Sequence, residues 1–130
     1  MSAFSRSGLI DQLEYEGYST ADATYGVDAQ NANWNEQAKK SAASYLRVSA
    51  FSRSGLIDQL EYEGFSTSEA TYGVDAQNAN WNEQAKKSAE SYLRISEFSR
   101  SELVSQLRYE GFTASEAEYG VANTYDVGGY

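Results

Sequence analysis

Phe4, Phe51 and Phe98 are spaced 47 residues apart and mark one unit written almost three times. Residues 3–49 and 50–96 differ at five of 47 positions: Tyr18/Phe65, Ala21/Ser68, Asp22/Glu69, Ala43/Glu90 and Val48/Ile95. The third copy is looser and stops early, with Gly128 at the position of Trp34 and Trp81. A period of this size predicts stacked helical units, each burying its apolar face against a neighbour. A catalytic site gathers unlike residues at one place. Repetition makes equivalent surfaces instead, and so favours binding.

Each unit carries three helix signatures. Helix A is expected over about 6–16, with Leu9, Ile10 and Leu13 as its apolar stripe. Ser5 is its N-cap, and Gly17 supplies the left-handed residue that ends it. Helix B starts from Ser19; Ser66-Thr67-Ser68-Glu69 and Thr113-Ala114-Ser115-Glu116 spell capping boxes in the later copies. Ala23 and Val27 share one face of it. Gly26, Gly73 and Gly120 lie mid-helix, where glycine costs about 1 kcal/mol relative to alanine. A repeated loss of that kind predicts close approach of another helix. Helix C is capped at Asn33, with Trp34, Ala38, Ala42 and Tyr45 or Leu46 inward and Lys39 and Lys40 outward. The links from C to A and from A to B are short, which gives helix-turn-helix geometry with a corner at Phe51.

The expected fold is all-α: tandem short-helix repeats of period 47, about eight helices, with helix-turn-helix character. The segments are an A–B half unit at 3–32, C–A–B units at 33–79 and 80–122, and an irregular, flexible tail at 123–130.

The residue inventory narrows the chemistry. The chain has no cysteine and no histidine, so it has no disulfide, no thiolate and no imidazole base or ligand. Glu14 and Glu16 stand two apart on a helix and point away from each other, so they form no catalytic pair. The run from Asp28 to Asn33 hints at a calcium loop, but Asn33 and Lys39 stand where an EF-hand needs glycine and glutamate. No catalytic residue, metal site or cofactor is expected, and the chain reads as a non-enzyme.

The helix-turn-helix geometry does not read as a DNA reader. Net charge is −9, and the second helix of the turn carries Asp22 and Asp28 with no base. An acidic face repels phosphate. Nucleic acid is therefore not an expected partner, whereas a basic or amphipathic protein is. The candidate contact residues are the recurring acid–aromatic groups: Glu14, Tyr15 and Glu16; Glu61, Tyr62 and Glu63; Tyr109 and Glu110; with Tyr25 and Tyr72 beside them. The same tyrosines would equally serve to cover seams between helices. No apolar run approaches transmembrane length, and the chain itself reads as a soluble domain, either cytosolic or separated from an export segment.

The pattern resembles the Ltp-type host cell surface-exposed lipoproteins. It reads Ser44-Tyr45-Leu46, Phe51-Ser52, Gly55-Leu56-Ile57, Gln59-Leu60, Glu63-Gly64-Phe65-Ser66, Glu69-Ala70, Tyr72, Val74-Asp75 and Trp81-Asn82-Glu83-Gln84-Ala85. It extends from Phe4 to about Val121, and departs from the family at Gly26, Gly73 and Gly120, where alanine is usual. The resemblance implies a place on the outer face of a bacterial membrane, held by an N-terminal lipid anchor that this chain does not carry. It further implies superinfection exclusion: binding a phage injection component, such as the tape measure protein, and blocking DNA entry. The alternative is a wall-associated structural or adhesive repeat protein without a phage role.

Overall fold

The computed structural model describes residues 3–128. Among them are eight helices and no strand: α1 (Arg6–Tyr15), α2 (Thr20–Ala29), α3 (Trp34–Val48), α4 (Arg53–Tyr62), α5 (Thr67–Asp75), α6 (Trp81–Ile95), α7 (Arg100–Tyr109) and α8 (Ala114–Gly128). The all-α, period-47 expectation holds.

The local signals act where the sequence puts them. Ser5 and Ser19 cap α1 and α2, their hydroxyls accepting from the amides of Gly8 and Asp22. Ser66 with Glu69 and Ser99 with Glu102 form reciprocal capping boxes. Gly17, Gly64 and Gly111 take φ of 103–108° and end the A helices. Asn31 and Asn78 also have positive φ, at 55° and 50°, in the turn between helices B and C. Asparagine tolerates that region better than most residues with a side chain. The Asp28–Asn33 stretch is thus the last two residues of α2 and the turn after it, and Asp28 is held by a two-point hydrogen bond from Arg6 at 2.7 and 2.9 Å.

One expectation fails. The segment from Asn123, expected to be irregular, is helical as far as Gly128 in α8, and residues 129–130 lie outside the described part. The loss of the repeat pattern there is not a loss of helix. No proline interrupts it, and the Thr124 hydroxyl bonds back to the Gly120 carbonyl at 2.8 Å.

The chain forms two compact units, Met1–Ser44 with Ile57–Gln77, and Tyr45–Leu56 with Asn78–Tyr130. The boundary falls inside α3 and inside α4, so a unit is not a sequence repeat.

In the first unit Ala38 and Ala42 of α3 are buried with Leu60, Phe65, Ala70 and Val74. A Cβ built on Gly73 would stand 2.6 Å from the Ala38 carbonyl carbon, so α3 and α5 touch backbone to backbone. The Ser41 hydroxyl donates to the Glu63 carboxylate at 3.1 Å, and Gln77 donates to the Lys39 carbonyl at 2.9 Å. At the start of α1, the Ser5 hydroxyl accepts from Gly8 and donates to the Glu63 carbonyl at 2.7 Å. Ser7 reaches the Gly64 carbonyl at 3.0 Å. These serines satisfy carbonyls at the end of helix A that would otherwise lack a partner.

The second unit repeats the arrangement 47 residues on. Its core is Ala85, Ala89, Leu103, Leu107, Phe112, Ala117 and Val121. A Cβ on Gly120 would stand 2.7 Å from the Ala85 carbonyl carbon. Ser88 donates to the Glu110 carboxylate at 3.1 Å; Ser52 and Ser54 donate to the Glu110 and Gly111 carbonyls at 2.7 and 3.0 Å. Both C-to-A corners are edge-on aromatic pairs, Tyr45–Phe51 and Tyr92–Phe98, with centroids 5.6 Å apart.

Candidate functional site

Among the described residues, the tyrosines that end the A helices are the most exposed of the large hydrophobic side chains. Tyr15, Tyr62 and Tyr109 show 87–89% of their surface to solvent. Each is the last residue of its helix, and the glycine two positions on turns the chain away. The ring therefore stands at a corner with no neighbour laid across it. These three cover no seam.

Tyr25, Tyr72 and Tyr119 behave differently. Tyr72 and Tyr119 are 45% and 40% exposed and so partly covered, whereas Tyr25 is 78% exposed. Covering a seam accounts for the first two and not for Tyr25.

The acidic members also divide. Glu16 is exposed, and Glu14 is half-buried beside the Thr20 hydroxyl, which donates to it. Glu61 is half-buried. Glu63 and Glu110 are engaged internally, each accepting a serine hydroxyl through its carboxylate and another through its carbonyl. Burial pushes both carboxyls above the ordinary glutamate range, and the hydrogen bonds from Ser41 and Ser88 pull the other way. The sequence reading grouped them with the contact residues; the structure uses them to hold helix C.

Around Tyr109 the surface is grooved on two sides. A groove of about 650 Å³ is lined by Glu97, Glu102, Gln106 and Tyr109 among others. A second, of about 430 Å³, runs past Arg108, Tyr109 and Thr113. One exposed phenol standing between two grooves, with carboxylates beside it, suits a helical or extended peptide carrying basic groups. Among the described residues no cluster of carboxylates is placed to hold a metal ion.

The host cell surface-exposed lipoprotein profile matches residues 1–29, 33–76 and 80–124, which together take in nearly the whole chain. The chain belongs to the host cell surface-exposed lipoprotein family. No curated protein and no solved structure gives a significant match. No helix among the described residues is long and apolar enough to cross a membrane.

The serine clasp escaped the sequence reading, although Phe-Ser-Arg-Ser recurs at every unit. The local pattern of its first serine signals only a cap. A hydroxyl can accept from an amide and donate to a carbonyl at once, and only the folded chain shows which carbonyl lies within reach.

Proposed function

We propose that this lipoprotein-family chain is a non-enzymatic cell-surface binding module acting in superinfection exclusion. It holds a component of an incoming phage's injection apparatus, such as the tape measure protein, and stops DNA entry after adsorption. The observation that carries the reading is family membership across all three repeats. The near-identical exposed tyrosine corners at 15, 62 and 109 are consistent with it. They offer one contact chemistry several times over, which raises avidity for a long, repetitive partner when more than one site is engaged. The contact residues are Tyr15, Tyr62 and Tyr109, with Glu14, Glu16, Glu61, Tyr25 and Tyr72 supporting. Glu63 and Glu110 are left to the fold.

The test is expression of the chain behind a lipoprotein signal in a susceptible host, with adsorption and DNA entry measured separately. Normal adsorption with failed entry supports the reading. Unimpaired entry across a broad phage panel overturns it. A further arm replaces Tyr15, Tyr62 and Tyr109 together by alanine. Exposed substitutions of this kind change stability by only about 0.5 kcal/mol each. The variant should reach the surface at the parent's level and lose exclusion.

A further inference from the structure

The first turn of helix A clasps a Glu-Gly corner twice. Ser5 and Ser7 of α1 donate to the Glu63 and Gly64 carbonyls, and Ser52 and Ser54 of α4 donate to those of Glu110 and Gly111. The third member of each clasp is a glycine. A Cβ on Gly8 would stand 2.9 Å from the Ser5 Oγ and 3.4 Å from the Glu63 carbonyl oxygen. On Gly55 the distances to the Ser52 Oγ and the Glu110 carbonyl oxygen would be 2.8 and 3.1 Å. Any side chain there would press on the serine that makes the clasp and on the carbonyl it holds. Glycine serves here for close approach.

The third copy keeps both serines, Ser99 and Ser101, but has Glu102 in place of the glycine. The Glu102 carboxylate accepts from the Ser99 amide at 2.9 Å, and the Glu102 amide donates to the Ser99 hydroxyl at 3.1 Å. At the matching positions of α1 and α4, the Cβ direction points at the carbonyls of Glu63 and Glu110. Ser99 is exposed, whereas Ser5 and Ser52 are buried. Glu97 stands where the earlier copies have Ala3 and Ala50, so this edge carries a second added carboxylate. Both glutamates line the groove of about 650 Å³ beside Tyr109, together with Ser101.

We infer that Glu102 is a stop residue: it closes the α7 edge to a Glu-Gly corner, whether that corner comes from a further length of the same chain or from another molecule. Two effects act together. The Cβ pushes the serine hydroxyl out of the position from which it would donate. The carboxylate faces the carbonyl end of the incoming helix, where the dipole is negative and the corner brings a glutamate of its own. An edge that accepts the corner of a like molecule builds open, head-to-tail assemblies, and a charged outer face on a terminal repeat prevents them. The inference rests on the clasp geometry and stands apart from the phage reading.

A capping box alone would give Glu102 a purely local role, and the two roles differ in sign when the residue is moved to a closed edge. Helix propensity and a new capping box with Ser52 would make Gly55→Glu melt higher than the parent. A stop residue opens the α4 edge instead, and Gly55→Glu should melt about 5 °C lower or more. Gly55→Ala, which adds the Cβ without the carboxylate, should lose less. Should Gly55→Glu not fold, Gly8→Glu is the milder form, because the carbonyl there is farther away, and it too should melt below the parent. Either glutamate variant melting at or above the parent overturns the inference. Sedimentation equilibrium tests the native edge. Ser101→Ala leaves the Ser99 cap in place and should not change the association state. Self-association of the parent that Ser101→Ala weakens would also overturn the inference, since the edge would then accept a corner with Glu102 present.

Discussion

Three glycines with the same neighbours in sequence have different neighbours in space, and substitution reads that difference. Gly73→Ala and Gly120→Ala would drive a methyl group into the backbone of helix C, at 2.6 and 2.7 Å. Each should cost about 1–3 kcal/mol in urea unfolding. Gly26→Ala meets nothing, so the helix-propensity gain remains, and the variant should be about 0.5–1 kcal/mol more stable than the parent. A common sign for all three would mean that Gly26 is covered. The serines permit a similar comparison. Ser52→Ala removes both a cap and the bond to the Glu110 carbonyl, and should cost about 1–2 kcal/mol. Ser99→Ala removes a cap and should cost about 1 kcal/mol in the same assay. Equal losses would show that the bond to Glu110 contributes nothing.

Helices A, B and C are each marginal alone at 9–15 residues, and what fixes them is the packing between them. The carboxyls of Glu63 and Glu110 sit in that packing, and burial raises their pKa. The folded chain therefore holds these protons at higher pH than the unfolded chain does. Their contribution to stability falls as pH rises through the glutamate range and recovers on acidification. Asp28, held low by the hydrogen bond from Arg6, acts in the opposite direction. Replacing Glu63 and Glu110 together by glutamine keeps an acceptor for each serine without a charge to bury. The double variant should be at least as stable as the parent at neutral pH. It should gain less than the parent on acidification to about pH 4.5, followed by thermal melts. Much of this level was legible beforehand. Caps, terminating glycines and the Ala38–Ala42 stripe are local patterns, and the three mid-helix glycines pointed to a close approach. What stayed hidden depended on the meeting of distant segments. Ser5 finds its acceptor 58 positions along the chain, and no local pattern carries that distance. Glu63 carries the same flanking residues as Glu16, yet only Glu63 has a helix over it.

On the scale of the whole molecule, the repeats are equal in sequence and unequal in surroundings. That is why the candidate contact list split: the corner tyrosines remained outside, and Glu63 and Glu110 went to the seams. It is also why the fold followed from periodicity while the closed edge did not. Periodicity says that edges recur, and only the packing says which residue closes one. The clasp from Ser5 to Glu63 and that from Ser52 to Glu110 span the same 58 residues. Excising residues 50–96 would bring Ser5 within reach of the carbonyl now numbered 110, joined by the same residue types. Loss or gain of one whole period is therefore an edit that this architecture absorbs, while any other length breaks every clasp it crosses. Recombination between the near-identical copies in the gene would yield shorter and longer arrays that still fold.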